Sequence, residues 1–435
     1  MTNYTRNIWM LKSILAHAFL FFYIYSVQFK VGSGAIGSRV LLGLLGFILM
    51  IYILLKEKNL MVNKNIIKVL TLLVLIVMAS VSSLLINGTN DLTFIKYPIS
   101  MIVIMFACYF VNWVMSKCNK NIDFKCVATT IINVVCIQIL LSILLFLLPD
   151  LKEFVFNIQY FTDYELNIIR DTFDFRLVGC GSFFFGAAIV NGFAIILVSL
   201  IIRNYKLNTH ELISIGVKYF IIFVFGMMMA RATLIGFGLS IIILFLPSIT
   251  KLKIHFYKQS LLFILITFIL PMFLLVFLYK YDPSYFAKID PLISFGFEML
   301  KNYFDSGELS TNSTDELKNM YVFPAHISTY ILGDGLFNNP DGFGYYQGID
   351  VGFLRLTYYF GIVGLLIYLF LQGTLLYFAK KVCYTSAVFF GVLFLYLLCL
   401  NLKGFTDLGF LVMLFFIKYS VSYKSTQQCP VRKLH

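Results

Sequence analysis

The sequence predicts an all-α, polytopic membrane protein of about 12 transmembrane helices, with both termini cytoplasmic and a large outer loop of short helices. Three observations predict it. Of 435 residues, 60% are hydrophobic and only 13% charged, whereas a soluble globular domain carries about 25% charge. Apolar stretches of bilayer-spanning length, about 17–25 residues, recur from one end of the chain to the other. Lysine and arginine gather in alternate connecting segments, the pattern of cytoplasmic loops.

Taken in order, the spans fall near 8–28, 39–55, 66–86, 96–115, 127–148, 183–202, 214–230, 232–249, 259–279, 351–378, 384–402 and 405–420. The first ends without a small-residue cleavage site and is expected to stay in the bundle rather than act as a signal. With the N-terminus inside, the cytoplasmic segments hold 21 Lys/Arg and 3 Asp/Glu, leaving 13 and 18 for the outer ones. The inside is then +18 and the outside −5, so the net charge of +13 reports topology and not a nucleic-acid partner. The inner loops, such as "KEKNLMVNKNIIK" and "KLKIHFYK", are short and lysine-rich and have no room for a catalytic domain. No GxxxxGK[ST] phosphate loop occurs. The chain reads as a single integral membrane domain, 1–435, with two long outer segments, 149–182 and 280–350. Structureless loops beyond about 12–15 residues are uncommon. Both segments are rich in aromatic and apolar residues, so short helices packed on the bundle are expected there.

The stretch 214–249 is flanked by basic segments on both sides, so the chain goes out and back within about 36 residues, where two ideal spans need about 40. Its apex falls in "MMMARATLIG", which has no Pro, Asn or Asp for a solvated turn. Non-helical backbone at that depth is tolerated only when buried in protein or lining a cavity, and Arg231 stands there. Of the 8 cysteines only Cys180 lies near the outer face, so no outer disulfide is expected. No CxxC or Cys/His cluster suggests a metal site.

Arginine is scarce, and its distribution is inverted. The inner positive charge is nearly all lysine, whereas Arg39, Arg170, Arg176, Arg231 and Arg355 fall outside by this topology. A guanidinium fork suits bidentate binding of phosphate or carboxylate. Each has a plainer reading too. Arg231 is either an intramembrane functional group or one half of a bundle-stabilising ion pair. Arg176, in "DFRLVGCGSFFFG", is a site residue or an interfacial snorkeller. Arg170, beside Asp171 and Asp174, reads first as a solvated ion pair, and Arg39 as an anchor of the second span. Asp350 suits a helix N-cap or first-turn acid. Arg355 lies inside the apolar pattern and on a straight helix projects about 140° away from Asp350, so a direct bridge between them is not expected. His326, in "VFPAHISTYILGDG", is a candidate general base or a surface histidine. Asp334 reads as a turn residue, Lys403 as an outer-face cation, and Gly361 and Gly364 as close-packing positions.

In their order and placement, "FRLVG" before the sixth span, the "ARATLIG" apex, "ILGDGLF" and "DVGFLRLTYYFGIVG" resemble the bacterial O-antigen polymerases, from about residue 170 to 410. The resemblance implies a glycosyltransferase of the bacterial inner membrane. It would join undecaprenyl-pyrophosphate-linked oligosaccharide repeat units into O-antigen or a related surface polysaccharide, as in lipopolysaccharide biosynthesis. A chain-length regulator protein is a partner such an enzyme would have. The related O-antigen ligases carry an "HN..L" pattern where this chain has "GIDVGFLRL", which favours polymerase over ligase. Members often place an arginine in the loop matching "STNSTDELKNMYVF", where only Lys318 is basic here. On this reading Arg176, Arg231 and Arg355 converge on the pyrophosphate, with Arg170 and Lys403 as further cations and His326 or Asp350 as catalytic base. Arginines would then stabilise the leaving group, with no metal or other cofactor. A flippase or transporter of the lipid-linked unit is the alternative, although no internal repeat of the kind transporters favour is evident. A metal-dependent glycosyltransferase using Asp163 and Glu165 of "DYE" is a more distant one.

Overall fold

The computed structural model describes residues 3–32, 34–57, 64–118, 122–245, 263, 283–341, 344–383 and 387–417. Helices dominate: α1 (Asn3–Tyr25), α2 (Ser38–Glu57), α3 (Lys64–Asn87), α4 (Thr93–Cys118) and α5 (Phe124–Leu147) come first. Two short helices follow, α6 (Pro149–Ile158) and α7 (Asp163–Thr172), then α8 (Phe184–Asn204), α9 (Thr209–Met229) and α10 (Thr233–Phe245). Among the described residues, 7 helices are long and apolar enough to cross a membrane, and shorter apolar helices lie at Met10–Tyr25, Thr233–Phe245 and Ala387–Asn401. The chain is a multi-pass membrane protein. Of the span expected at 259–279 only Phe263, which is buried, lies among the described residues.

The segment 280–350 carries four short α-helices among its described residues: α11 (Pro283–Gly296), α12 (Glu298–Ser306), α13 (Asn312–Asn319) and α14 (Ile327–Leu332). The C-terminal helices are α15 (Gly352–Cys383), α16 (Ala387–Asn401) and α17 (Gly409–Phe416). One element departs from an all-α reading. Strands β1 (Gln28–Val31) and β2 (Gly34–Gly37) form an antiparallel hairpin, with Gln28 opposite Gly37 and Val31 opposite Gly34. Gly32, just past β1, takes φ +60°, a conformation open to glycine.

Helix α8 is apolar on every side, and 89% of its spanning window is buried, so it is the core around which the others pack. Its closest neighbour is α10. At their crossing Gly192 and Gly236 bring the two backbones together, and a Cβ on either would collide with the other helix or with Tyr396. The tight hairpin expected at 214–249 is present. Helix α9 stops at Met229, Ala230 is extended, and Thr233 Oγ1 donates to the Gly226 carbonyl at 3.1 Å. Ala230 and Ala232 are buried, so the apex sits in protein.

Helix α15 is kinked. Phe360 and Gly361 leave helical geometry, with Gly361 at φ +71°. Backbone carbonyls at a kink lose their helical partners. Here the Tyr358 carbonyl accepts from Asp334 N at 2.5 Å, and the Tyr359 carbonyl from Gly335 N at 3.1 Å and Ser83 Oγ at 2.7 Å. The "ILGDG" turn therefore exists to satisfy the broken helix. A Cβ on Gly333 would strike the Tyr359 backbone, and one on Gly361 would strike Ile331. Gly361 is thus both a kink residue and, as expected, a close-packing position, against the backbone of α14. Gly364 faces the Phe360 ring.

Candidate functional site

The site lies on the face of the bundle that carries the β-hairpin, α11–α14 and the α9–α10 apex, called here the loop face. Its first cation follows from an unfinished helix. The last carbonyls of α9 have no intrahelical partners. Leu177 N donates to Met228 O at 3.1 Å, and Arg176 Nε donates to Met229 O at 2.7 Å. The segment 176–182 is fixed at its other end by Gln159 Oε1, which accepts from Gly181 N at 3.0 Å, and by Gln138 Nε2, which donates to Cys180 O at 2.8 Å. Arg176 uses Nε as a C-terminal cap, and its two Nη groups make no hydrogen bond among the described residues. Its guanidinium sits 4.3 Å from the Phe184 ring centroid. Phe184 itself adopts φ +50°, a left-handed backbone rare for an aromatic residue and of a kind that gathers at functional sites.

Phe295, at the end of α11, joins the second cation to the first. Its ring centroid lies 5.0 Å from the Arg176 guanidinium carbon and 4.3 Å from that of Arg231. Arg231 Nη1 pairs at 2.5 Å with Glu298 Oε2, on the first turn of α12. That pair lacks an aligned hydrogen bond from Nη1. Lys403, between α16 and α17, is the third cation, and its Nζ lies 3.4 Å from Ser313 Oγ on α13. Burial and the nearby Arg231 charge bring the Arg176 guanidinium down to about 9. Burial, then Arg231 and Arg176, push the Lys403 ammonium down, with Asp350 opposing. Arg231 acts on both Arg176 and Lys403, so the three positive charges lie within electrostatic range of one another and form a candidate anion site.

The sequence reading put Arg355 in the same cluster, but it does not touch Arg176 or Arg231. It is 6% exposed and sandwiched between Phe337 and Tyr345, with both ring centroids at 3.7 Å. Its Nη2 reaches Phe337 O at 3.4 Å and Asn338 Oδ1 at 3.5 Å, and its Nε is buried without an acceptor. Asp91 fixes this cradle by accepting from the amides of Phe337 at 2.8 Å and Asn338 at 3.0 Å. Arg355 Nη1 does approach Asp350 Oδ1, at 4.0 Å, contrary to the straight-helix expectation. Asp350 stands before α15 begins at Gly352, so the 140° projection does not apply to it, and it is not an acid of the helix's first turn. Burial raises the Asp350 carboxyl, opposed by Arg355 and Lys403. Asp350 thus lies electrostatically between Arg355 and Lys403, linking two arginine groups that do not meet directly.

Other candidates lie elsewhere. Arg170 is exposed on α7 and lines a separate groove of about 820 Å³ with Lys30, Lys152, Tyr160 and Asp163. His326 is exposed at the N-cap of α14 and makes no capping bond with its side chain. Arg39 caps α1, donating to Tyr23 O and Ile24 O at 2.6 Å each, with Phe410 4.3 Å beneath it. Lys318 pairs with Asp315 on the exposed face of α13. Asp163 and Glu165 form the first turn of α7, where Glu165 completes a capping box with Thr162. Among the described residues no three His, Cys, Asp or Glu side chains gather as a metal site.

Sequence reasoning missed Phe295 and Glu298, because nothing in the spacing of "SFGFEML" ties it to residue 231. It also missed Asp407. That carboxylate accepts from Tyr97 Oη at 2.8 Å, Gln372 Nε2 at 2.7 Å and Gly409 N at 2.6 Å, so it joins α4, α15 and α17. Comparisons of the chain with protein-family models, characterised proteins and solved structures find no match.

Proposed function

We infer that the chain is a membrane glycosyltransferase that polymerises undecaprenyl-pyrophosphate-linked repeat units into O-antigen or a related surface polysaccharide. In this reading it crosses the bacterial inner membrane 12 times, both termini are cytoplasmic, and the loop face is the outer face. The observation that carries the reading is the Arg176–Arg231–Lys403 cluster, whose mutual repulsion calls for an anion. Polyprenyl pyrophosphate is an anion that reaches that face from within the bilayer.

The chemistry follows from the charges. The acceptor hydroxyl oxygen attacks the anomeric carbon of the donor glycan, and the bond from that carbon to the pyrophosphate oxygen breaks. The pyrophosphate departs with the bonding electrons, and its growing negative charge meets donors already in place, so little reorganisation is needed. The hydroxyl proton passes to a base. Asp350 is preferred to His326, because it borders Lys403 and Arg355 while His326 stands apart on the exposed α14 cap. The reading assigns no cofactor.

The test is a gel of surface polysaccharide from a strain in which the chain has been deleted. A single repeat unit transferred to the lipid core, restored to a ladder on complementation, is the expected result. Absence of even one repeat on the surface identifies a flippase and overturns the polymerase assignment. Full-length polymer retained on its lipid carrier identifies a ligase instead.

A further inference from the structure

The Arg231–Glu298 pair occupies one cation of the proposed anion site with a carboxylate from the chain itself. Both partners are mostly buried, at 17% and 18% exposed. Glu298 is held from behind by Asn312 N, which donates to Oε1 at 3.0 Å. The next residue of α13, Ser313, meets Lys403. Helices α12 and α13 thus lie across the site, tied to two of its three cations by single polar contacts. Arg176 has no carboxylate partner among the described residues.

We propose that Glu298 is a specificity-determining residue that makes this site select a diphosphate over a monophosphate. The proposal rests on the diphosphate reading above. An intramolecular carboxylate competes at an effective concentration in the millimolar range, so any anion binding Arg231 must displace it. A monophosphate exchanges one contact at Arg231 for another and gains little. A diphosphate reaches Arg176 and Lys403 as well, so it binds with Glu298 left on Arg231, and the carboxylate penalises the monophosphate alone. The lipid carrier bearing diphosphate is then held, and the same carrier bearing one phosphate is not.

The test uses detergent-purified full-length protein, with inorganic pyrophosphate, inorganic phosphate and farnesyl pyrophosphate as probes and calorimetric Kd as the readout. Glu298→Gln keeps the Asn312 contact and removes the charge. If Glu298 covers Arg231 in about nine-tenths of molecules, its removal tightens phosphate about tenfold. Pyrophosphate tightens less, so the preference for diphosphate falls. Glu316→Gln removes a charge that Arg231 also feels but that does not touch it, and gives a much smaller gain. The proposal is overturned if Glu298→Gln leaves the preference unchanged while the wild type binds pyrophosphate, or if Glu316→Gln reproduces the full gain. Farnesyl pyrophosphate binds at least as tightly as the inorganic ion if the site takes a lipid-borne group; weaker binding overturns that assignment. If no probe binds the wild type or Glu298→Gln, or if Arg176→Ala and Arg231→Ala leave binding intact, the diphosphate reading itself fails.

Discussion

On the proposed function, Arg176 and Asp350 each hold a structural and a chemical role at the loop face. Arg176 spends Nε on the end of α9 and keeps the rest of its fork free, so lysine cannot replace it in both roles. Asp350 is an acid held against its ordinary ionisation by burial. Its folded-state pKa is raised, so the stability it contributes is present below the unfolded pKa and lost as pH rises through the folded value. Asp350→Asn is therefore expected to melt no lower than the wild type at neutral pH, measured by thermal unfolding in detergent, while polymer formation falls at least about 100-fold. In the wild type, activity should be lost as pH falls through a pKa above the usual carboxylate range. A variant that keeps both its ladder and its pH profile would remove Asp350 from the chemistry. Arg231 was legible in the sequence because the hairpin around it is too short for a solvated turn. Its counter-ion was not, because an ion pair between residues 231 and 298 leaves no local pattern.

At the scale of elements, the kink in α15 organises much of the loop face. Breaking the helix after Tyr359 frees carbonyls that draw in Asp334, Gly335 and Ser83, and this sets the path of "ILGDGLF" into the Phe337 cradle of Arg355. The sequence marks both glycines but gives no sign that they face each other, since a helical glycine and a left-handed glycine are written alike. Gly361→Ala forces a side chain into φ +71° and against Ile331, and should cost about 1–3 kcal/mol of stability. Gly391→Ala in α16, where an added Cβ meets nothing within 4 Å, should be neutral or slightly stabilising. Equal melting temperatures for the two variants would contradict the kink's role. The β-hairpin had a readable signal in "QFKVGSGAIG", short alternating runs around a Gly-rich turn. It was missed because a 10-residue segment between two spans reads first as a connecting loop.

For the whole molecule, the multi-pass helical character was the most legible feature, because a bilayer demands long apolar helices whatever the function, and 7 such helices stand among the described residues. Arg176 and Arg231 are far apart in sequence and share the Phe295 ring only through the packing of α9 and α11, with Lys403 of the α16–α17 turn in electrostatic range, which no spacing rule encodes. Sidedness is open to direct measurement. In a chain with its native cysteines replaced, a cysteine at Ser306 on α12 should react with a membrane-impermeant maleimide in intact cells. One at Asn208, the N-cap of α9, should react only after permeabilisation; the reverse pattern would invert the proposed topology.

The central claim is that the loop-face cations hold the departing diphosphate during chain extension. Its most direct test is the length distribution of surface polysaccharide made by cells carrying Arg231→Ala, with membrane protein at wild-type level. The account predicts collapse of the ladder to a single repeat unit on the lipid core. A ladder of unchanged length and intensity would contradict it.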